Sequence, residues 1–117
     1  MAIISSHILD SVHGCSASGI RVQGQKVVNR NDDHIVFEVE ANEEGRIMEE
    51  VSFEDSKQFY QLIFFSDEYF RKKMAERYSC RQIVREIVIR LVLPDPEIRY
   101  HVPVIIGPYS NTFWWSE

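Results

Sequence analysis

The sequence lacks the features that mark membrane-spanning, secreted and nucleic-acid-binding proteins. No apolar run in its 117 residues approaches the ~20 residues that cross a bilayer. The first residues have neither a basic region nor a long apolar stretch, so we expect no secretory signal, no membrane partner and a cytoplasmic location. Lysine and arginine number 13 against 18 acidic residues, a net charge of −5. Because such a chain is poorly suited to neutralising phosphates, we expect no nucleic-acid partner.

Cysteine is also scarce, and a chain of this length can bury a core without disulfide bonds. Cys15 and Cys80 are the two cysteines, and they form neither a CxxC pair nor a spacing typical of metal ligands. We interpret them as buried or half-exposed thiols in a reducing cytosol. A nucleophilic Cys15 stays open as an alternative, although no helix start lies nearby to activate its thiol.

The residues that are present favour a single all-β domain over residues 1–117. Apolar residues make up 44% of the chain, as in ordinary globular proteins, and no repeat or linker divides it. Several runs alternate between apolar and polar residues with period two, which indicates strands. The predicted strands are 3–10, 19–28, 35–41, 59–65 (a central strand), 87–93, 100–104 and 112–115.

One segment has helical rather than strand-like features. Ser66 can cap a helix whose first turn is acidic and whose end is basic. Phe70 and Met74 lie one turn apart and would dock on a sheet. About eight short strands and this one short helix predict a β-sandwich. Turn-forming residues separate the elements at 29–33, 42–45, 94–96 and 107–108.

The histidines are the residues most suited to chemistry. His13 and His34 fall in predicted loops, where a solvated role is expected. His7 and His101 fall in predicted strands, and the alternation around His101 points it out of the sandwich if its apolar neighbours fill the core. Alternation alone leaves open whether these two are solvated residues or members of one site. No GxSxG, P-loop, HExxH or GxGxxG motif is present.

Three segments, in order and with matching spacing, carry a resemblance. Residues 4–10 read Ile-Ser-Ser-His-Ile-Leu-Asp, residues 42–46 read Asn-Glu-Glu-Gly-Arg, and residues 100–109 read Tyr-His-Val-Pro-Val-Ile-Ile-Gly-Pro-Tyr. They resemble the “HVLD” strand, the “TNADGR” turn and the “YHVPLLLSPYG” strand of the transthyretin-like family, on its 5-hydroxyisourate hydrolase branch. With the second strand and the strand-to-helix passage, the resemblance covers nearly the whole chain.

This resemblance implies both a fold and a set of site residues. The fold is a transthyretin-like (prealbumin-like) sandwich of two four-stranded sheets with one short helix. The family's catalytic histidines fall on His7 and His101, and its catalytic arginine falls on Arg46. The resemblance also implies a homotetramer with sites in a channel shared between subunits, and a small heterocyclic substrate. No cofactor and no metal are expected, because two histidines without a carboxylate or thiolate make a poor zinc site.

The C-terminus departs from the family, whose members end in Tyr-Arg-Gly-Ser. Here Trp114, Trp115, Ser116 and Glu117 occupy those positions, so a guanidinium has been lost and an anion gained. We expect Trp114, Trp115 and Ser116 to contribute to substrate binding. Two indoles can stack on a flat heterocycle, but they can also merely seal an oligomer interface.

The expected reaction is the opening of a cyclic amide in urate degradation. It converts 5-hydroxyisourate to 2-oxo-4-hydroxy-4-carboxy-5-ureidoimidazoline, with His101 or His7 as the general base. Arg46 would hold the substrate anion and the developing oxyanion. One alternative is a diverged enzyme that opens, closes or rearranges another heterocycle. Another is a non-catalytic homologue that binds a small molecule.

Overall fold

The computed structural model describes residues 1–28, 33–52, 56–78 and 81–117. Cys80 and most of the predicted turn at 29–33 therefore lie outside the described residues. In the described ranges no helix is long and apolar enough to cross a membrane. The elements in chain order are β1 Ala2–Asp10, β2 Cys15–Ser16, β3 Arg21–Val27, β4 Asp33–Glu40, β5 Arg46–Val51, β6 Phe59–Phe64, α1 Ser66–Met74, a 3-10 turn Ala75–Arg77, β7 Ile87–Val92, β8 Arg99–His101, β9 Val104–Ile106 and β10 Asn111–Phe113.

The strands form two sheets. One has four antiparallel strands in the order β4-β3-β6-β7, so the predicted central position of β6 is confirmed. The other is built around β1, which pairs in parallel with β8 and β9 and antiparallel with β2 and β5, while β10 pairs with β9. β8 and β9 pair with β1 in one continuous register, and β2 and β5 both pair antiparallel with β1. The six segments therefore amount to four strands: β10, β8 with β9, β1, and β5 with β2. The predicted sandwich of two four-stranded sheets is confirmed.

The core lies between the sheets and is filled by alternate residues of each strand. On β1, Ile4 and Ile8 are fully buried, and on β6, Tyr60, Leu62 and Phe64 are at most 2% exposed. Helix α1 closes part of this core as predicted. Phe70 is fully buried and Met74 packs against the core, and burial of one such large side chain contributes about 1.5–3 kcal/mol.

Three local predictions were wrong. Ser66 does not cap α1: Phe65 holds the N-cap position and Ser66 is the first helical residue, because the Phe65 amide still donates to the Arg21 carbonyl and keeps the chain in the sheet until that point. His34 lies in β4 rather than in a loop. Cys15 is exposed, because it lies in β2, a two-residue segment beside β1.

Candidate active site

The register around β1 gathers four polar side chains on the outer surface of the β1-centred sheet. His7 lies opposite Arg46 on β5. Ser5, two residues earlier and therefore on the same surface, lies opposite His101 on β8. Ser6, which lies between the two, points the other way and donates to the carbonyl of Val102. We call the surface formed by Ser5, His7, Arg46 and His101 the histidine face.

His101 is held on this face by both its side chain and its backbone. Its Nδ1 lies 2.8 Å from the hydroxyl oxygen of Ser5, and its amide and carbonyl each bond to Ser116 at 2.9 Å. Partial burial lowers the pKa of His101, and the charges of Arg99, Arg46 and His7 lower it further, against the opposing effect of a bond to the Ser5 backbone. The imidazole is therefore mostly neutral at neutral pH, which is the form that accepts a proton.

Arg46 is positioned by the turn that precedes β5. The side-chain oxygen of Asn42 accepts from the amides of Glu44 and Arg46 at 3.0 and 2.9 Å. Gly45 has φ +74°, and a Cβ there would lie 2.5 Å from the carbonyl oxygen of Ile8, so only glycine lets the turn pack this closely on β1. The Arg46 guanidinium is about half exposed and its contact with Glu44 is long, at 3.7 Å. It therefore stays available to an anion.

The C-terminal residues continue the pairing of β10 and form one side of the histidine face. The Trp114 amide donates to the carbonyl of Pro103, and Ser116 pairs with His101. Strand alternation puts Trp114 and Ser116 on the same surface as His101. Two of the three residues expected to bind substrate are thus brought beside the predicted catalytic residues.

Trp115 lies on the opposite side of this terminal segment. It borders a cavity of about 290 Å³ that opens between the two sheets, beside β7 and β10. In the family that the sequence resembles, this position holds arginine. In this chain its side chain, that of Trp115, therefore points away from His101. Most of the cavity lining is apolar: Ile89, Leu91, Val92, Pro94, Tyr100, Val102, Phe113 and Trp115, with Arg90 and Glu117.

Ser5 is the residue of the histidine face that sequence reasoning missed. It has the same parity as His7 in β1, so alternation could have placed it on that surface, but its contact with His101 depends on a pairing across 96 positions. The other histidines lie apart from this face: His34 is exposed on β4, and His13 Nδ1 lies 2.7 Å from a carboxylate oxygen of Asp10. Among the described residues no three His, Cys, Asp or Glu side chains are grouped as a metal site requires.

Comparisons with known proteins find relatives over most of the chain. A 5-hydroxyisourate hydrolase of Pseudomonas aeruginosa is 30% identical over 112 residues, which cover 94% of this chain and 87% of that protein. The 5-hydroxyisourate hydrolase 2 of Rhizobium meliloti is 26% identical, over 92% of this chain and 89% of that protein.

Two solved structures have the same fold. (S)-allantoin synthase superposes with a TM-score of 0.78 and 26% identity; the match covers 99% of this chain, which spans only 44% of that protein. The Klebsiella pneumoniae 5-hydroxyisourate hydrolase also gives a TM-score of 0.78, at 20% identity and over the full length of both chains. The model of the HIUase/Transthyretin family matches residues 4–115. With nearly its entire length matched, the chain belongs to the HIUase/Transthyretin family.

Proposed function

We propose that this protein is a cytoplasmic hydrolase that opens the cyclic amide of 5-hydroxyisourate to give 2-oxo-4-hydroxy-4-carboxy-5-ureidoimidazoline. The observation that carries the proposal is the grouping of His7, Arg46 and His101 on one surface by the register of β1 with β5 and β8. The relatives from Pseudomonas aeruginosa and Rhizobium meliloti are 5-hydroxyisourate hydrolases by name, which is consistent with that chemistry.

The histidine face supplies the groups that amide hydrolysis needs. A neutral imidazole of His101 takes a proton from water as the water oxygen attacks the ring carbonyl carbon. The guanidinium of Arg46 stabilises the negative charge that develops on the carbonyl oxygen. His7, opposite Arg46, lies where it can orient the water or the ring. Trp114 offers a flat apolar surface beside them, suited to a planar heterocycle.

The changed C-terminal residues do not all lie on the surface that carries His101. Trp115, at the position of the family's arginine, borders the cavity between the sheets and lies on the side opposite to the histidine face. In this proposal the changed positions on the surface of His101 are Trp114 and Ser116.

A second candidate is a diverged enzyme that acts on another heterocycle. The allantoin synthase match favours it, since that protein shares the fold at 26% identity and its name denotes a different activity. Replacing residues 114–117 by Tyr-Arg-Gly-Ser separates the candidates. The swap keeps or raises activity on 5-hydroxyisourate if the first proposal holds, whereas activity that appears only in the swapped protein favours the second.

The proposed activity is tested with freshly generated 5-hydroxyisourate. We expect the wild-type protein to accelerate the loss of its ultraviolet absorbance well beyond the spontaneous rate. The rate should scale with protein concentration and should disappear after heat denaturation. Decay at the spontaneous rate, in the presence of folded protein, would contradict the proposal.

We also propose that the protein works as a homotetramer whose sites are shared between subunits. β7 and β10 are edge strands of the two sheets, and the edge region exposes large apolar side chains, with Phe113 49% and Trp115 67% exposed. Unpaired edges with apolar side chains favour association with another copy. Light scattering at micromolar concentration should give about four times the 13.8 kDa chain mass. A stable monomer would contradict this part of the proposal.

A further inference from the structure

We propose that Ser5 is a positioning residue that holds the His101 imidazole with its Nδ1 protonated, so that Nε2 is the atom that accepts the proton from water. This inference rests on the proposed ring-opening activity and deepens it, because it identifies the base and the atom that carries the proton.

Ser5 is held in place by its backbone, independently of its side-chain contact with His101. Its backbone lies inside β1, paired with Met48 on one side and His101 on the other, and its carbonyl accepts from the Val102 amide at 2.8 Å. The residue is only 4% exposed. A hydroxyl held in this way loses little conformational freedom when it binds the ring, so the contact is maintained at low entropic cost.

The bond to Ser5 determines which edge of the ring is free. The Ser5 hydroxyl oxygen lies 2.8 Å from Nδ1 of His101. Backbone bonds to Ser116 fix the main chain of His101, so the bond to Ser5 removes the remaining rotation of the side chain. Nε2 is on the opposite edge of the imidazole and has no hydrogen-bond partner among the described residues.

In this proposal the hydrogen bond between Ser5 and His101 has one direction. The Ser5 hydroxyl could donate to Nδ1 or accept from it. The Nδ1 edge is occupied by Ser5, so a ring that takes a proton from water must do so at Nε2. The Nδ1 nitrogen then carries the hydrogen and donates it to the Ser5 hydroxyl oxygen. With Nδ1 protonated, the neutral ring has its lone pair on Nε2.

The assignment gives a balanced proton path for the hydrolysis. Nε2 takes one proton from the attacking water while the water oxygen forms a bond to the carbonyl carbon. The C–N bond of the ring amide then breaks, and the same proton passes from Nε2 to the leaving nitrogen. His101 ends the cycle in its starting tautomer. The charged groups around it are Arg46 on β5 and Arg99 on β8, with His7 on β1. Glu50 follows on the same side of β5, two residues after Met48, which lies opposite Ser5.

Ser5→Ala tests the inference, with Ser6→Ala as the matched control. We expect Ser5→Ala to lower kcat by about 10- to 100-fold with little change in KM, as for loss of a residue that orients a catalytic group. Ser6→Ala also removes one hydrogen bond, to the Val102 carbonyl, but on the core side, so it should lower stability while keeping kcat. Ser5→Thr retains a hydroxyl and should recover most of the activity. Equal kcat in the two alanine variants would overturn the inference.

A second measurement is independent of turnover. Long-range nitrogen–proton correlation spectra of the histidine-labelled protein distinguish the two neutral tautomers. We expect His101 to be the Nδ1–H form in the wild type and to shift towards Nε2–H in Ser5→Ala. A wild-type His101 in the Nε2–H form would refute the role of Ser5. Absence of 5-hydroxyisourate turnover, with the Nδ1–H form observed, would instead refute the proposed function alone.

Discussion

We expect His101→Ala to lower kcat for the proposed opening of 5-hydroxyisourate by about two to four orders of magnitude, the usual effect of removing a general base. The variant removes the imidazole beside Arg46, and the other imidazole of the histidine face is that of His7. His7→Ala should reduce kcat within the same range if His7 orients the water. Steady-state kinetics with purified variants measure both effects.

The control for these variants is His34→Ala, a histidine on β4 in the other sheet, which should leave kcat unchanged. Thermal stability should also change little in His101→Ala, because the bonds to Ser116 are made by the backbone of residue 101. If His101→Ala instead lowers the melting temperature strongly and keeps its specific activity, His101 is a structural residue and the assignment of the base is wrong.

Asp10→Ala destabilises the fold by about 3 kcal/mol or more, because it removes a buried charged acceptor and leaves its donors unsatisfied. Asp10 is 1% exposed. Its carboxylate accepts from the amides of Val12 and His13, from the His13 ring and from the Tyr69 hydroxyl, at 2.7–3.0 Å. These bonds fix the turn after β1 and join it to helix α1. Equilibrium denaturation with urea measures the loss.

The same carboxylate makes stability depend on pH. Burial alone would raise the pKa of Asp10, but the hydrogen bonds from His13, Tyr69 and Val12 outweigh it and lower the pKa below its usual 3.8. The Asp10 carboxylate therefore contributes its full stabilisation at pH values above its pKa in the unfolded chain. This stabilisation is lost as the pH falls through the lower pKa of Asp10 in the folded protein. Asp95→Ala, an exposed residue whose carboxylate accepts from the Glu97 amide, should cost far less. Equal losses in the two variants would show that the Asp10 bonds do not anchor the turn.

Alternation predicted the side of the sheet on which residues lie, but not their neighbours across strands. The period-two alternation of apolar and polar residues could assign His7 and His101 to the outer side of a sheet. Their proximity depends on the register of β1 with β8, which joins segments nearly the whole chain apart. Arg46 was identified through the resemblance alone, because β5 was not predicted as a strand. Its sequence, Arg-Ile-Met-Glu-Glu-Val, has three charged residues in six and little β-branched character.

Two further details were decided by backbone chemistry. The strand predicted at 100–104 is divided into β8 and β9, because Pro103 has no amide to donate and cannot continue the ladder. The substrate-binding prediction names both Trp114 and Trp115, and adjacent residues of an extended chain point to opposite sides. The pairing of Ser116 with His101 extends that alternation to the end of the chain and separates the two indoles.

The most direct measurement follows the product formed from 5-hydroxyisourate in water enriched in heavy oxygen. Mass spectrometry of the reaction, quenched while the spontaneous rate is still negligible, identifies both the product and the origin of its oxygen. If the histidine face activates water, we expect 2-oxo-4-hydroxy-4-carboxy-5-ureidoimidazoline with one heavy oxygen in its new carboxylate, formed at the catalysed rate and lost in His101→Ala. Unchanged substrate, or a catalysed product without solvent oxygen, would contradict hydrolysis at this site.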